Sequence, residues 1–281
     1  MAKKVLYLGN GKWCWTENCR NHSEVIIKKN EYIAAVTKGN EAETVEAMTA
    51  LISTPEGLHT YRYLRVAEIG KLSGHKPTLG LDLDGTTGDF THGLRTYMGE
   101  TLKIEKTQWL KKFPDPPEYA MWKGEGAWYT SKDDFIGHFQ KSENEGLYAK
   151  IPIFDYAPQT LKELKNYGFN ITVVTARNIA FTKDTRQWIK QHKIPTRTVF
   201  HLGIEKEKAP NISLYIDDSP EVIRRLINKE KKVLIMNQRY NESVEDHANS
   251  RRTDGWGTSM VNSIFELFDE RNSHQDPKKL G

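Results

Sequence analysis

The chain is short of several things, and each shortage narrows what it can be. It has two cysteines in 281 residues, so no disulfide framework carries the fold. No apolar stretch approaches the length that spans a bilayer. Met1-Ala2-Lys3-Lys4 leads only into the short apolar run Val5 to Leu8, which does not read as an export signal. The expected compartment is therefore the reducing cytoplasm, with no membrane partner. Charge of one sign is scarce too: the formal net charge is +4, too mild to argue for nucleic acid without a concentrated basic face. There is no internal repeat, no low-complexity tract and no Walker-type phosphate loop. What remains is an ordinary soluble composition, 37% hydrophobic and 28% charged, with room for one large or two smaller domains.

The informative stretch is Thr78-Leu79-Gly80-Leu81-Asp82-Leu83-Asp84-Gly85-Thr86-Thr87. An apolar run reads as a buried strand, and Gly85 punctuates its end. Two carboxylates leaving one strand tip would cost several kcal/mol per ion if buried unpaired. A hard cation removes that cost, and Mg²⁺ prefers oxygen ligands.

Asp82-Leu83-Asp84-Gly85-Thr86 resembles the first motif of the haloacid-dehalogenase (HAD) phosphatases. The resemblance implies that Asp82 attacks phosphorus. Asp84 then protonates the leaving group and later activates water, which would require a raised pKa. It further implies a hydroxyl at the end of the next core strand, a fixed lysine, and an acidic pair on a third strand. Phe169 to Val174 is a β-branched run that delivers Thr175-Ala176-Arg177. Thr175 and the amide of Ala176 are the expected phosphate contacts. In Glu205-Lys206-Glu207-Lys208 the lysine chosen is Lys208, with Lys206 in reserve. Ile212 to Ile216 ends in Asp217-Asp218-Ser219-Pro220. Asp82, the backbone carbonyl of Asp84, and Asp217 or Asp218 are the expected Mg²⁺ ligands; the spacing does not say which of the pair binds directly.

Between the first and second of these strands, residues 88–150 crowd aromatic side chains around Pro114, Pro116 and Pro117. HAD enzymes often insert a helical cap here, which excludes water and reads the rest of the substrate. Phe90, Trp109, Trp122 and Trp128 are the candidates to stack on a base; the alternative is that such rings form the cap's own core. Further on, Pro158 to Tyr167 reads as a helix ended by Gly168, and Thr182 as the cap of a helix to Gln191. Ser219 and Pro220 read as the cap and first residue of another helix. Val233 to Met236 reads as a last core strand, and Ser259 to Asp269 as a helix. Tyr240-Asn241 and Arg252-x-x-x-Trp256 resemble the end of the 5′(3′)-deoxyribonucleotidase branch. Residues 269–281 read as a disordered tail.

Residues 1–76 form a separate module. Lys4 to Leu8 reads as a strand, Glu41 to Ser53 as a helix, and Thr54-Pro55 as the start of another that runs to about Leu72. Arg62, Arg65 and Lys71 read as a solvated face, the alternative being a recruitment or nucleic-acid contact. Cys14, Cys19 and His22, with His59 or His75 as a fourth ligand, could hold Zn²⁺; the spacing matches no strong zinc signature, and two small thiols beside Trp13 and Trp15 are the other reading.

The expected fold is α/β: a HAD-like Rossmannoid parallel sheet over residues 77–268, a helical cap after its first strand, and a small α-rich N-terminal module. The expected function is an Mg²⁺-dependent phosphatase acting through an aspartyl-phosphate on nucleoside monophosphates, with deoxyribonucleosides preferred. Thr175-Ala176-Arg177-Asn178 also resembles the 3′-phosphatase domain of polynucleotide kinase-phosphatases, which carry little cap. A polynucleotide 3′-phosphatase and a non-catalytic HAD-scaffold binding protein are therefore the alternatives. Base, sugar and oligomeric state are not legible.

Overall fold

Short runs of Val, Ile and Leu recur from residue 78 onward, each followed by a stretch with helical spacing. That alternation is the pattern of a parallel sheet with crossover helices. The computed structural model describes residues 5–7, 13–15, 19–39 and 41–269. The chain divides into two compact units, residues 1–68 and 69–281.

In the first unit, β1 (Val5–Tyr7) pairs antiparallel with β2 (Trp13–Trp15). Three helices follow: α1 (Cys19–Lys38), α2 (Glu41–Ile52) and α3 (Pro55–Ser73), the last crossing the division between units. Helix α1 goes beyond the sequence reading, which has no element there. The start of α3 is as read: the Gly57 amide donates to Thr54 Oγ1 at 3.1 Å, and Pro55 opens the helix. The solvated-face reading of α3 holds for Lys71, which is exposed, and is corrected for Arg62 and Arg65, which are buried, with Arg65 paired to Glu68. The zinc reading falls on Cys14, Cys19 and His22, whose side chains lie outside the described residues, as does the tail after Asp269.

The second unit holds a six-stranded sheet: β3 (Thr78–Leu81), β4 (Asn170–Thr175), β5 (Thr198–His201), β6 (Leu214–Asp217), β7 (Val233–Met236) and β8 (Ser250–Thr253). The order is β5-β4-β3-β6-β7-β8, and all five pairings are parallel. From β3 the chain pairs outward to one side through β4 and β5, then returns to β3's other edge with β6. The strand order therefore reverses at β3, and such a switch point opens a crevice at the carboxyl ends of the strands. Every residue of β3, β6 and β7 is buried, as a strand packed on both faces requires. Gly80 makes this possible in β3: a Cβ there would lie 2.8 Å from Ile212 and 3.0 Å from the Tyr215 ring.

Helices α8 (Ala157–Asn166), α9 (Thr182–Gln191), α10 (Pro220–Asn228) and α11 (Thr258–Asp269) cover the sheet. Val222, Ile223 and Leu226 of α10 pack on Tyr215, Val233 and Ile235. Ser219 and Pro220 start α10 as read, although the Ser219 hydroxyl makes no capping bond. Thr182 is the first helical residue of α9, not its cap, and its hydroxyl turns back to the Ile179 carbonyl at 2.5 Å.

Between β3 and β4 stand α4 (Phe90–Thr101), α5 (Trp109–Lys112), α6 (Lys132–Asn144) and α7 (Leu147–Lys150). Asp89 caps α4 through the His92 amide, and Ser131 caps α6 through the Asp134 amide. These helices enclose their own core of Leu94, Tyr97, Met98, Phe113, Trp128, Tyr129 and Tyr148. Two adjacent passages join them to the sheet: Asp89 N donates to Pro152 O at 2.8 Å, and Phe154 N to Thr87 O at 3.0 Å.

Candidate active site

The pairing of β3 with β6 continues one residue past the strand, where Asp82 N donates to Ile216 O at 3.0 Å. This seats the Asp82 side chain at the sheet's carboxyl edge. The chain then turns sharply: Thr87 N and Gly88 N both reach back to Leu83 O, at 2.9 and 2.7 Å. Gly85 takes φ of 80° in that turn, and a Cβ on it would collide with Asp218 Oδ2 and the Tyr240 hydroxyl. Only glycine meets both demands.

Strand β6 brings Asp217 and Asp218 to the same edge. One carboxylate oxygen from each of Asp82, Asp217 and Asp218 lies within 4.8 Å of the others, and all three residues are buried. Lys206 Nζ bridges two of them, at 2.8 Å from Asp82 Oδ1 and 2.7 Å from Asp217 Oδ2. Asp217 Oδ1 also accepts from the Ser219 amide at 3.0 Å. Asp218 accepts from Thr86 Oγ1 at 2.6 Å and from the Tyr240 hydroxyl.

One ammonium faces three buried carboxylates, so the cluster carries uncompensated negative charge. Burial pushes the Asp82 carboxyl well up; Lys206 opposes this, while Asp217, Asp218 and Asp84 add to it. Burial, then Asp217, pushes Asp218 up to about 7, against the bonds from Thr86 and Tyr240. Lys206 is raised as well, which for an amine favours the charged form. Burial alone would lower it, but Asp217 and Asp82 outweigh burial and hold it firmly charged. A cluster of oxygen donors with too little positive charge fits a small hard cation, and Mg²⁺ satisfies both terms.

Strand β4 delivers Thr175, fully buried, and then Ala176, exposed beyond the strand tip. Arg177, next in the chain, is buried and grips Asp84 with both arms of its guanidinium, Nε to Oδ2 at 2.8 Å and Nη2 to Oδ1 at 2.7 Å. Its third nitrogen, Nη1, is buried without a hydrogen-bond partner among the described residues. The guanidinium lies over the Tyr148 ring at 4.2 Å and near Trp188 at 5.4 Å. A bidentate guanidinium fixes the orientation of the carboxyl it grips.

Lys208, the lysine preferred from sequence, is exposed and pairs with Glu205 at 2.6 Å; Lys206 occupies the site. Trp128 is buried in the cap and donates Nε1 to Pro114 O at 2.7 Å. Trp109 packs against Gly99 and donates Nε1 to Ile104 O at 2.8 Å. The Trp128 indole is thereby committed to the cap's interior, and the half-buried Trp109 indole to its contacts with Gly99 and Ile104. Trp122 tilts onto Phe135 and Phe90 meets Phe139 edge to face, at centroid distances of 5.2 and 5.8 Å, so these half-buried rings also pack on the cap core.

Sequence reasoning gave no role to Arg177, Thr86 or Tyr240. The tail pattern was the available signal for one of them: Asn241 Nδ2 holds Asp218 O at 2.8 Å, and Trp256 Nε1 holds Thr86 O at 2.9 Å, beside Tyr240 on Asp218. Arg252 anchors that loop through Asn237 Oδ1 at 3.0 Å and the Val244 carbonyl.

Residues 76–264 match the sequence model of a family described as 5′ nucleotidase, deoxy (Pyrimidine), cytosolic type C protein. A protein of Oceanobacillus iheyensis named "Putative nucleotidase OB0422" is 24% identical over 196 residues, covering 66% of this chain and 98% of its own. A "Putative nucleotidase" of Bacillus cereus is 25% identical over 190 residues, covering 63% and 93%. Among solved structures, a haloacid dehalogenase-like family hydrolase, SP0104 from Streptococcus pneumoniae, superposes with a TM-score of 0.43 at 14% identity, over 67% of this chain and 98% of that one.

Proposed function

From the premise that the chain belongs to this nucleotidase family, and is thus a phosphoric monoester hydrolase, we propose that it removes the phosphate of nucleoside monophosphates, with deoxyribonucleosides preferred, through a phosphoryl group carried on Asp82. The observation that carries the reading is Asp82 itself: buried, fixed by Lys206, and one edge of the three-carboxylate cluster.

Asp82, the Asp84 backbone carbonyl and the Asp217-Asp218 pair would hold Mg²⁺, which when bound offsets the charge of the carboxylates and of the phosphoryl oxygens. Asp82 attacks phosphorus through a carboxylate oxygen, the P–O bond to the nucleoside breaks, and the leaving oxygen takes its proton from the Asp84 carboxyl. Water then attacks the phosphorus of the acyl phosphate, the bond from phosphorus to the Asp82 oxygen breaks, and the water's proton passes back to Asp84. Arg177 fixes Asp84 for that transfer. The Thr175 hydroxyl and the Ala176 amide donate to phosphoryl oxygens, and Lys206 balances charge beside the nucleophile. The cap keeps bulk water away from the acyl phosphate.

The test is steady-state hydrolysis of dUMP, dTMP, a 3′-phosphorylated oligonucleotide and an aryl phosphate, with Mg²⁺ or with EDTA. The expected result is turnover of the mononucleotides that needs Mg²⁺ and falls roughly 10³-fold or more in Asp82→Asn. Preferred turnover of the oligonucleotide would move the substrate to nucleic-acid ends. Wild-type rates in Asp82→Asn would remove the nucleophile.

A further inference from the structure

The opposite end of the sheet carries the opposite charge. Helix α9 runs from the carboxyl edge of the strands towards their amino edge, and the chain then turns back into β5. Arg186 and Lys190, four residues apart, share one face of that helix, and Lys193 follows just past its end, where the backbone turns with φ of 54°. Arg197 adds a fourth cation just before β5. Together they line a cavity of about 340 Å³ with an apolar floor of Ile189, Ile194 and Val199. None of the four has an ion-pair or side-chain hydrogen-bond partner among the described residues.

A soluble surface normally intersperses the two signs. Here the one carboxylate of α9, Asp184, sits in its first turn, away from the groove. The helix dipole accounts for a cation in the last turn, Lys190, but not for Arg186 or Arg197. The positive field extends past the groove. The Lys165 ammonium, at the end of α8, is held below its ordinary range by burial and then by repulsion from Lys76 and Arg197. Lys76 precedes β3, so the basic region spans the amino ends of β3, β4 and β5. The catalytic carboxylates lie beyond the carboxyl ends.

We propose that this groove binds the phosphodiester backbone of a single nucleic-acid strand, not as the substrate but as a surface on which the enzyme is held. The chemistry selects an extended polyanion. Four cations lining one groove supply the charge that several backbone phosphates need, and the apolar lining of Ile189, Ile194 and Val199 suits sugar and base faces. Such binding is driven by counterion release and needs no base readout. The acidic end of the sheet repels the same backbone, so the two ends of the strands are assigned to different ligands.

The experiment uses the full chain and a fluorescently labelled 20-nucleotide oligothymidylate with hydroxyl ends, which offers no phosphate monoester to the catalytic site. Anisotropy titrations over a range of salt should give saturable binding. The expected slope of log affinity against log salt is roughly −3, from about −0.7 for each of four contacts. The paired reversal Arg186→Glu with Lys193→Glu should weaken binding at least tenfold, while dUMP hydrolysis stays within twofold. Reversal of two exposed cap lysines, Lys111→Glu with Lys132→Glu, changes net charge equally and should cost less than twofold in binding. A thermal melt checks folding, and Lys190→Gln with Arg197→Gln serves as the milder pair if the reversal unfolds. No binding at low salt would overturn the proposal, as would equal losses in the groove and cap pairs. So would groove-dependent capture of a nucleoside triphosphate, or of phosphatidylserine vesicles, in place of the oligonucleotide.

Discussion

Lys206 and Lys208 show what a sequence can and cannot tell at the scale of one residue. Both lie in the short turn Lys206–Lys208, which is 3₁₀ in form. With three residues per turn, positions two apart point to different sides, so only one of them can face the carboxylates. The motif requires a lysine, but nothing local in Glu-Lys-Glu-Lys says which. The prediction is that Lys206→Met lowers kcat/KM for dUMP roughly 10²- to 10³-fold, while Lys208→Met stays within twofold; the reverse pattern would restore the sequence choice. Arg177 was hidden for a different reason. Its role depends on Asp84, 93 positions away, and an arginine after a strand carries no local mark of its partner. Because the grip is bidentate, a lysine cannot reproduce it. Arg177→Ala and Arg177→Lys should both lower kcat roughly 10- to 100-fold with KM little changed. Full activity in Arg177→Lys would show that charge alone suffices.

At the scale of elements, the sequence showed most where periodicity and punctuation agree. The strand Val233–Met236, the helix start at Thr54-Pro55 and the helix end before Gly168 fall as read. Strand β8 (Ser250–Thr253) does not look like a strand, because Ser-Arg-Arg-Thr lacks an apolar run. It forms at the sheet edge, where Arg251 and Arg252 are only partly buried and pairing with β7 fixes the backbone. The cap posed the converse problem: its aromatic content was plain, but stacking a base and filling a core call for the same residues. Trp128 decides between them by its bond to Pro114 O. Trp128→Phe should lower the melting temperature and leave the ratio of KM for dUMP to KM for an aryl phosphate unchanged. A selective rise in KM for dUMP would make Trp128 a base contact. Gly80→Val tests the sheet in the same way: overpacking against Ile212 and Tyr215 should cost about 1–3 kcal/mol, read as a lower denaturation midpoint.

For the whole molecule, alternation of strands and helices made the parallel sheet legible, and three strand tips rich in polar groups made the site legible. The strand order was not, since β3–β6 pairing joins residues more than 130 positions apart and no local pattern records it. The order nevertheless decides the function proposed. By placing β3 between β4 and β6 it brings Asp82, Thr175, Asp217 and Asp218 to one edge, and it leaves the basic groove at the other. The cluster's excess negative charge makes the fold itself a reporter of the cation: Mg²⁺ should raise the melting temperature of EDTA-treated protein, and Asp218→Asn should reduce that rise.

The most direct measurement is to trap the enzyme during turnover of dUMP with sodium borohydride, which reduces an acyl phosphate, and to locate the altered residue by peptide mass spectrometry. The account predicts a single modified site, at Asp82, that is absent without substrate or in Asp82→Asn. Phosphate release with Asp82 unmodified and another residue carrying the label would contradict it.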